Sequence, residues 1–78
     1  MTELEWLDEF GDNLVDRLCY ANMTQRELAD AAGVSEASIS SYIRKQKIPS
    51  LKAIINIAYV FGITVDELLG TEYFDKIV

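Results

Sequence analysis

Histidine is absent from this chain of 78 residues, and cysteine, proline and tryptophan each occur once. Without histidine the chain lacks the side chain most often used in acid–base catalysis and zinc binding. A glycine-rich phosphate loop, a paired metal-ligand spacing and a Ser/His/Asp arrangement are missing as well. The sequence therefore predicts a protein that is not an enzyme, with no catalytic residues, no metal site and no cofactor.

Long apolar runs are also missing. No stretch of about eighteen apolar residues occurs, and the N-terminus does not resemble a signal peptide. We therefore expect a soluble, unprocessed protein without a membrane partner, located in the cytoplasm, where Cys19 is an ordinary, partly buried thiol. A chain of this length forms one small domain that buries only about 60% of its unfolded-state surface, so association with a second copy would add to its stability.

Basic residues are scarce too, since seven lysines and arginines are outnumbered by thirteen aspartates and glutamates, for a net charge of −6. Their distribution is uneven. Residues 1–23 hold one basic and six acidic side chains, and residues 53–78 hold one basic and four acidic side chains. Residues 24–52 hold five basic and three acidic side chains. Positive charge is therefore concentrated in the middle of the chain, which is where an anionic partner would bind.

The middle of the chain has the pattern of a helix-turn-helix over residues 24–44. Thr24 and Glu27 form a capping box that begins a first helix, and Gly33 ends this helix through a left-handed turn. Ser35 caps a second helix. The small side chain of Ala29 lets two helices cross steeply over such a short turn.

The second helix of this pattern has one apolar side and one small, polar side. Its inward residues recur at three and four positions and are Ile39, Tyr42 and Ile43. Its outward residues are Glu36, Ala37, Ser40, Ser41 and Arg44. A short, polar outer face of this kind suits a groove.

The N-terminal part of the chain predicts a long helix from about Glu3 to Ala21, begun by a capping box of Thr2 and Glu5. Gly11 costs this helix on the order of 1 kcal/mol and would permit a break near Phe10. Trp6 is most simply a packing residue, and otherwise it is part of a surface for a partner.

The C-terminal part predicts two more helices. Ser50 caps a fourth helix, which Gly62 ends, and Thr64 and Glu67 form a capping box for a short fifth helix that ends at Gly70. The apolar residues of the fourth helix cover more than half of its circumference, which predicts a central, buried helix. These residues are Leu51, Ile54, Ile55, Ile57, Ala58 and Phe61.

Together these features, from about Phe10 to Gly70, resemble the Cro/repressor (XRE-type) helix-turn-helix family. The resemblance implies an all-α, compact five-helix, lambda-repressor-like DNA-binding domain formed by residues 1–78. Residues 1–9 then form an N-terminal extension of the first helix, and residues 71–78 form a short C-terminal tail.

In proteins of this family, the second helix of the motif enters the major groove of double-stranded DNA. The resemblance assigns base contacts to Glu36, Ala37, Ser40 and Ser41. It assigns phosphate contacts to Gln25, Arg44, Lys45 and Lys47. Simpler alternatives remain open for five of these residues. Glu36 can merely complement the helix N-terminus, and ordinary solvated surface would equally explain Gln25, Arg44, Lys45 and Lys47.

Two features depart from the family pattern. Lys45 occupies the position where many members have a glycine after the recognition helix, so the helix either runs longer or holds Lys45 in a left-handed turn. Leu18 and Ile43 occupy positions where many members have a buried Arg/Glu pair. A hydrophobic replacement of such a pair is often neutral or stabilising.

The resemblance implies a sequence-specific transcriptional regulator, a phage- or prophage-type repressor that binds a palindromic operator as a homodimer. The alternative is a protein-interaction module of a toxin–antitoxin or other partner system with weak or no DNA binding, which an acidic chain would suit. The predicted dimer interface lies in the tail and consists of Tyr73, Phe74, Ile77 and Val78. The tail could instead fold back on Leu68 and Leu69 of its own chain.

Overall fold

The computed structural model of this protein describes residues 5–70, in which it contains five α-helices. They are α1 (Glu5–Ala21), α2 (Gln25–Ala32), α3 (Glu36–Ile43), α4 (Leu51–Phe61) and α5 (Val65–Leu69). The all-α, five-helix architecture predicted from the sequence is confirmed. The predicted dimer interface, Tyr73, Phe74, Ile77 and Val78, lies outside the described residues, as do Thr2 and the predicted helix start at Glu3.

The last four helices begin at the predicted capping residues. At Thr24 the capping box is complete, since its Oγ1 accepts the Glu27 N–H at 3.1 Å and its own N–H donates to Glu27 Oε1 at 3.0 Å. The box predicted at Thr64 is only half formed. Its Oγ1 accepts the Glu67 N–H, but the Glu67 carboxylate accepts the Thr64 hydroxyl instead of the backbone N–H. Helix starts were therefore predictable from short-range hydrogen bonding.

Helix α1 is unbroken, so the break considered near Phe10 does not occur. Gly11 is buried where α1 crosses the end of α3. A Cβ atom at this position would come within 2.9 Å of the Tyr42 carbonyl oxygen and 3.3 Å of the Ile43 carbonyl oxygen. The glycine therefore permits a close approach between two helices.

The core receives fully buried side chains from every helix: Phe10, Leu14, Leu28, Ile39, Ile57 and Leu68. The Phe10 ring lies with its centroid 5.6 Å from that of Tyr42 on α3 and 6.4 Å from that of Trp6. Trp6 is half-buried against this core, which agrees with the packing role expected for it.

Asparagine side chains hold two helix ends in place. Asn13 of α1 donates from Nδ2 to the Leu68 carbonyl oxygen of α5 at 2.9 Å. Asn56 of α4 donates to the Ala32 carbonyl oxygen at the end of α2 at 3.1 Å. Both bonds satisfy carbonyl groups that have no partner within their own helix.

Two burial predictions were wrong. Helix α4 is buried on one side only, and its residues Leu51 and Ile55 are exposed. The reason is that α4 packs mainly against α2 and α5, which leaves its outer side uncovered. Cys19 is exposed rather than partly buried, because α1 turns the neighbouring Leu18 towards the core instead.

Candidate nucleic-acid interface

Helices α2 and α3 form the predicted helix-turn-helix. Gly33 ends α2 with φ 72° and ψ 32°, and the Val34 N–H then donates to the Ala29 carbonyl oxygen at 3.0 Å. This left-handed turn costs glycine little, and it lets Ser35 cap α3 only three residues after α2 ends. Ala29 is buried between the helices, so its small side chain allows the close crossing that was expected.

The two sides of α3 differ as predicted. Ile39 and Tyr42 are buried and Ile43 is half-buried. The candidate base-contacting residues share the opposite side, where Glu36 and Ala37 are exposed and Ser40 and Ser41 are half-buried. These four residues present small hydrogen-bonding groups, one carboxylate and one methyl group, and none of them is bulky enough to keep the helix out of a groove.

A chain of hydrogen bonds joins Lys47 to the N-terminal turn of α3. Ser35 Oγ accepts the Ser38 N–H at 3.0 Å and donates its hydroxyl to Ser38 Oγ at 2.9 Å. Lys47 Nζ donates to the same Ser38 Oγ at 2.9 Å and lies 6.0 Å from the centroid of the Tyr42 ring. The ammonium group of Lys47 is thus held beside α3. Sequence reasoning did not select Ser38, although its spacing of three from Ser35 is typical of a capping pair.

Lys45 adopts the left-handed conformation, with φ 64°. Helix α3 ends at Ile43, and the N–H groups of Lys45 and Gln46 donate back to the carbonyl oxygens of Tyr42 and Ser41. Of the two alternatives left open by the sequence, the structure has the left-handed turn and not a longer helix. A non-glycine residue in this conformation costs on the order of 1 kcal/mol or more.

The side chain of Lys45 is directed at α1. Its Nζ lies 2.9 Å from Asp12 Oδ1 in an exposed ion pair. The hydrogen bond to Asp12, together with the charges of Asp12 and Asp8, raises the pKa of Lys45 despite some desolvation. Lys45 is therefore charged but already paired with Asp12, and a phosphate contact would require this pair to open.

The other candidate phosphate contacts lie around α2 and α3. Gln25 is the first residue of α2 and is half-buried. Arg44 is exposed directly after α3, and Lys47 is held beside the first turn of α3 by Ser38. Arg44 and Lys47 thus lie beside α3 and Gln25 lies at the start of α2, whereas Lys45 is turned to α1. Sequence reasoning missed Asp12 because it is separated from Lys45 by 33 residues.

Other kinds of site find no support in the part of the chain that the structure covers. Between residues 5 and 70, no three His, Cys, Asp or Glu side chains are grouped so that they could hold a metal ion. The helices of this part are also too short or too polar to span a membrane.

Comparison with known proteins identifies relatives of this chain. The sequence profile of a helix-turn-helix family matches residues 20–68. The chain is 33% identical over 64 residues to the HTH-type transcriptional activator BcrR of Enterococcus faecalis, an alignment covering 82% of this chain and 31% of that protein. It is 28% identical over 68 residues to the uncharacterized HTH-type transcriptional regulator YqaE of Bacillus subtilis, and this alignment covers 87% of this chain and 59% of that protein. The chain thus spans less than two thirds of either relative.

Solved structures share the fold. The restriction-modification controller protein C.AhdI from Aeromonas hydrophila superposes with a TM-score of 0.75 at 27% identity, covering 80% of this chain and 94% of that one. The hypothetical transcription factor NHTF from Neisseria gives a TM-score of 0.81 at 22% identity, and the superposition covers 99% of this chain and 89% of that one. The clp gene regulator ClgR from Corynebacterium glutamicum gives a TM-score of 0.77 at 24% identity, and the superposition covers 92% of this chain and 77% of that one.

Proposed function

The chain belongs to the Cro/repressor-type helix-turn-helix family, and on this basis we propose that it is a sequence-specific DNA-binding regulator of transcription. In the finer form of the proposal it binds a palindromic operator as a homodimer, as a phage- or prophage-type repressor does, and acts in the cytoplasm, where that DNA lies. The regulators among its relatives support the general function.

The observation that supports DNA binding most strongly is the outward side of α3. Glu36 and Ala37 are exposed at its first turn, and Ser40 follows on the same side. A glutamate accepts a hydrogen bond from N4 of cytosine, an alanine methyl group contacts the methyl group of thymine, and a serine hydroxyl either donates or accepts. These contacts would select bases from the N-terminal half of the helix, which is the half that enters the major groove in this motif.

Phosphate contacts would position α3 in the groove. We assign them to Gln25, Arg44 and Lys47, with Lys45 joining only when its pair with Asp12 opens. Lys47 is the best prepared of these residues because Ser38 already holds its ammonium group beside α3. A side chain fixed before binding loses less conformational entropy when it meets a phosphate.

The homodimer follows from the symmetry of a palindromic operator. Two recognition helices must lie about 34 Å apart to enter successive major grooves on one side of the duplex. We propose that the tail residues Tyr73, Phe74, Ile77 and Val78 contribute to the contact between protomers. A twofold axis would then present the same tail surface from both copies.

The test begins with selection of genomic DNA fragments by the purified chain and their sequencing, followed by affinity measurements over a range of salt concentrations. The assigned contacts include two basic side chains per protomer, Arg44 and Lys47, and Lys45 becomes a third when its pair with Asp12 opens. With about two to three phosphates neutralised per protomer, the logarithm of the affinity should fall with the logarithm of the salt concentration. Lys47→Ala should reduce the slope of this dependence by about one per protomer. Lys52 is an exposed lysine outside the assigned contacts, so the control variant Lys52→Ala should change the slope little. A flat response in the unaltered chain would contradict DNA binding and favour the protein-interaction module.

A further inference from the structure

Ser38 lies on α3 at the edge between the outward side and the buried side. With 3.6 residues per turn, its side chain is rotated by about 60° from that of Ser41 on the outward side and by about 40° from that of Tyr42 in the core. When a helix lies in a groove, the middle of its outward side faces the bases, whereas its edges face the walls of the groove, where the phosphates are. Ser38 is therefore placed to meet a phosphate and not a base.

The hydroxyl group of Ser38 has its acceptor capacity filled. Its Oγ accepts one hydrogen bond from the Ser35 hydroxyl and one from Lys47 Nζ, both at 2.9 Å. A serine hydroxyl can accept two hydrogen bonds and donate one, so only its own proton remains to be used. No oxygen atom of residues 5–70 accepts this proton. The Ser38 hydroxyl is therefore left as a donor for a group outside the chain.

Lys47 supplies further donors beside this hydroxyl. Its ammonium group has three N–H donors, of which the bond to Ser38 uses one. The same group lies 6.0 Å from the centroid of the Tyr42 ring, which is fixed in the core. No carboxylate of residues 5–70 pairs with Lys47, in contrast to Lys45, whose charge is paired with Asp12. The positive charge of Lys47 is therefore available to an anion at the position that Ser38 fixes.

We propose that Ser38 and Lys47 bind one phosphate group of the DNA backbone as a unit, with Ser38 donating from its hydroxyl and Lys47 from its ammonium group. The two donor atoms are 2.9 Å apart, so both can reach the same phosphate, at one oxygen or at two neighbouring oxygens. The inference rests on the proposed function and adds Ser38 to its contact residues. A phosphate bound to both would fix the first turn of α3 against one wall of the groove.

The experiment is a double-mutant cycle in DNA affinity, measured by fluorescence anisotropy on an operator obtained from the genomic selection. Ser38→Ala removes the hydroxyl but keeps the backbone N–H that Ser35 caps, so far-UV circular dichroism should show unchanged helices. We expect Ser38→Ala to weaken binding about tenfold, because a hydrogen bond to a charged group is lost. In a chain that also carries Lys47→Ala, the same change should weaken binding only about twofold, because the phosphate is no longer held there.

Two control variants test whether the effect is specific. Ser38→Thr keeps a hydroxyl at this position and should bind DNA within about threefold of the unaltered chain. Lys52→Ala removes an exposed lysine of α4, and in that background Ser38→Ala should still weaken binding about tenfold.

A further measurement needs no DNA. In NMR spectra of the unaltered chain, the two ε protons of Lys47 should have separate chemical shifts, because the bond to Ser38 holds the ammonium group in one position. In Ser38→Ala the two shifts should converge.

The proposal would be overturned if Ser38→Ala bound DNA as tightly as the unaltered chain, or if it weakened binding equally with and without Lys47. Equivalent ε protons of Lys47 in the unaltered chain would also overturn it, since Ser38 would then not hold the ammonium group. In each of these cases the unaltered chain still binds DNA. Failure of the proposed function would instead appear as an unaltered chain without salt-dependent DNA binding whose Lys47 ε protons remain separate, and that result would overturn the phosphate site as well.

Discussion

Gly11 of α1 lies against the backbone of Tyr42 in α3, so closely that a Cβ atom on Gly11 would meet the Tyr42 carbonyl oxygen at 2.9 Å. The Phe10 ring packs on the Tyr42 ring beside this contact. The glycine thus sets how near α1 can lie to the end of the recognition helix. Its cost in helix propensity is offset by the packing that this close approach allows.

Replacing Gly11 with alanine should therefore destabilise the protein, although alanine favours a helix by about 1 kcal/mol. Since the obstructing atom belongs to the backbone, α1 and α3 must move apart, and we expect a net loss of roughly 1 to 3 kcal/mol in the free energy of unfolding. Urea denaturation measures the loss. As a control, Ala31→Gly on the exposed side of α2 measures the effect of helix propensity on the free energy of unfolding, without a change in packing. A more stable Gly11→Ala variant would contradict the packing argument.

Replacing Asp12 with asparagine should release Lys45 for a phosphate. We expect stronger DNA binding and a salt slope steeper by about one per protomer, because the ammonium group is no longer paired on α1. Fluorescence anisotropy at several salt concentrations measures both. Asp16→Asn makes the same change in charge on α1 at a site without Lys45, so it should raise affinity only slightly. If Asp12→Asn and Asp16→Asn raised the DNA affinity equally, a specific pair of Lys45 with Asp12 would be contradicted. The same would follow if Asp12→Asn still raised the affinity in a chain that also carries Lys45→Ala.

Replacing Glu36 with glutamine should change base preference at one position of each half-site. A carboxylate that accepts from cytosine N4 discriminates by roughly 1 to 3 kcal/mol, and an amide has a different donor and acceptor pattern. Competition binding against a set of operators with single-base changes measures the preference. Asp30→Asn on α2 removes the same charge away from the outward side of α3 and serves as the control. A uniform gain for every sequence would show that Glu36 only repels phosphate.

Leu18 and Ile43 should be energetically coupled, as two apolar residues that take the place of a buried ion pair. Leu18 is buried, and Ile43 is half-buried against the same core. Ile43→Glu alone should therefore cost several kcal/mol, by placing an unpaired charge in this core, and Leu18→Arg together with Ile43→Glu should recover part of the loss. Chemical denaturation of the two single variants and the double variant measures the coupling. Additive losses would mean that the residues do not interact.

The placement of α2 to α5 was largely determined by the sequence, because the start of each of these four helices depends on bonds between close neighbours. Thr24, Ser35, Ser50 and Thr64 each accept an N–H three residues later, and this spacing is visible in the sequence. The outward side of α3 was equally predictable, since helical periodicity alone separates Ile39 and Tyr42 from Glu36 and Ala37.

Other features depended on how the helices pack, and here the sequence was misleading or silent. Apolar periodicity placed Leu51 and Ile55 in the core, but periodicity does not determine how many neighbouring helices surround α4, and too few lie there to cover them. The pair of Asp12 with Lys45 and the approach of Gly11 to Tyr42 join residues more than thirty positions apart. Such contacts form only when α1 crosses the end of α3, because bonds within a helix cannot fix the distance between two helices.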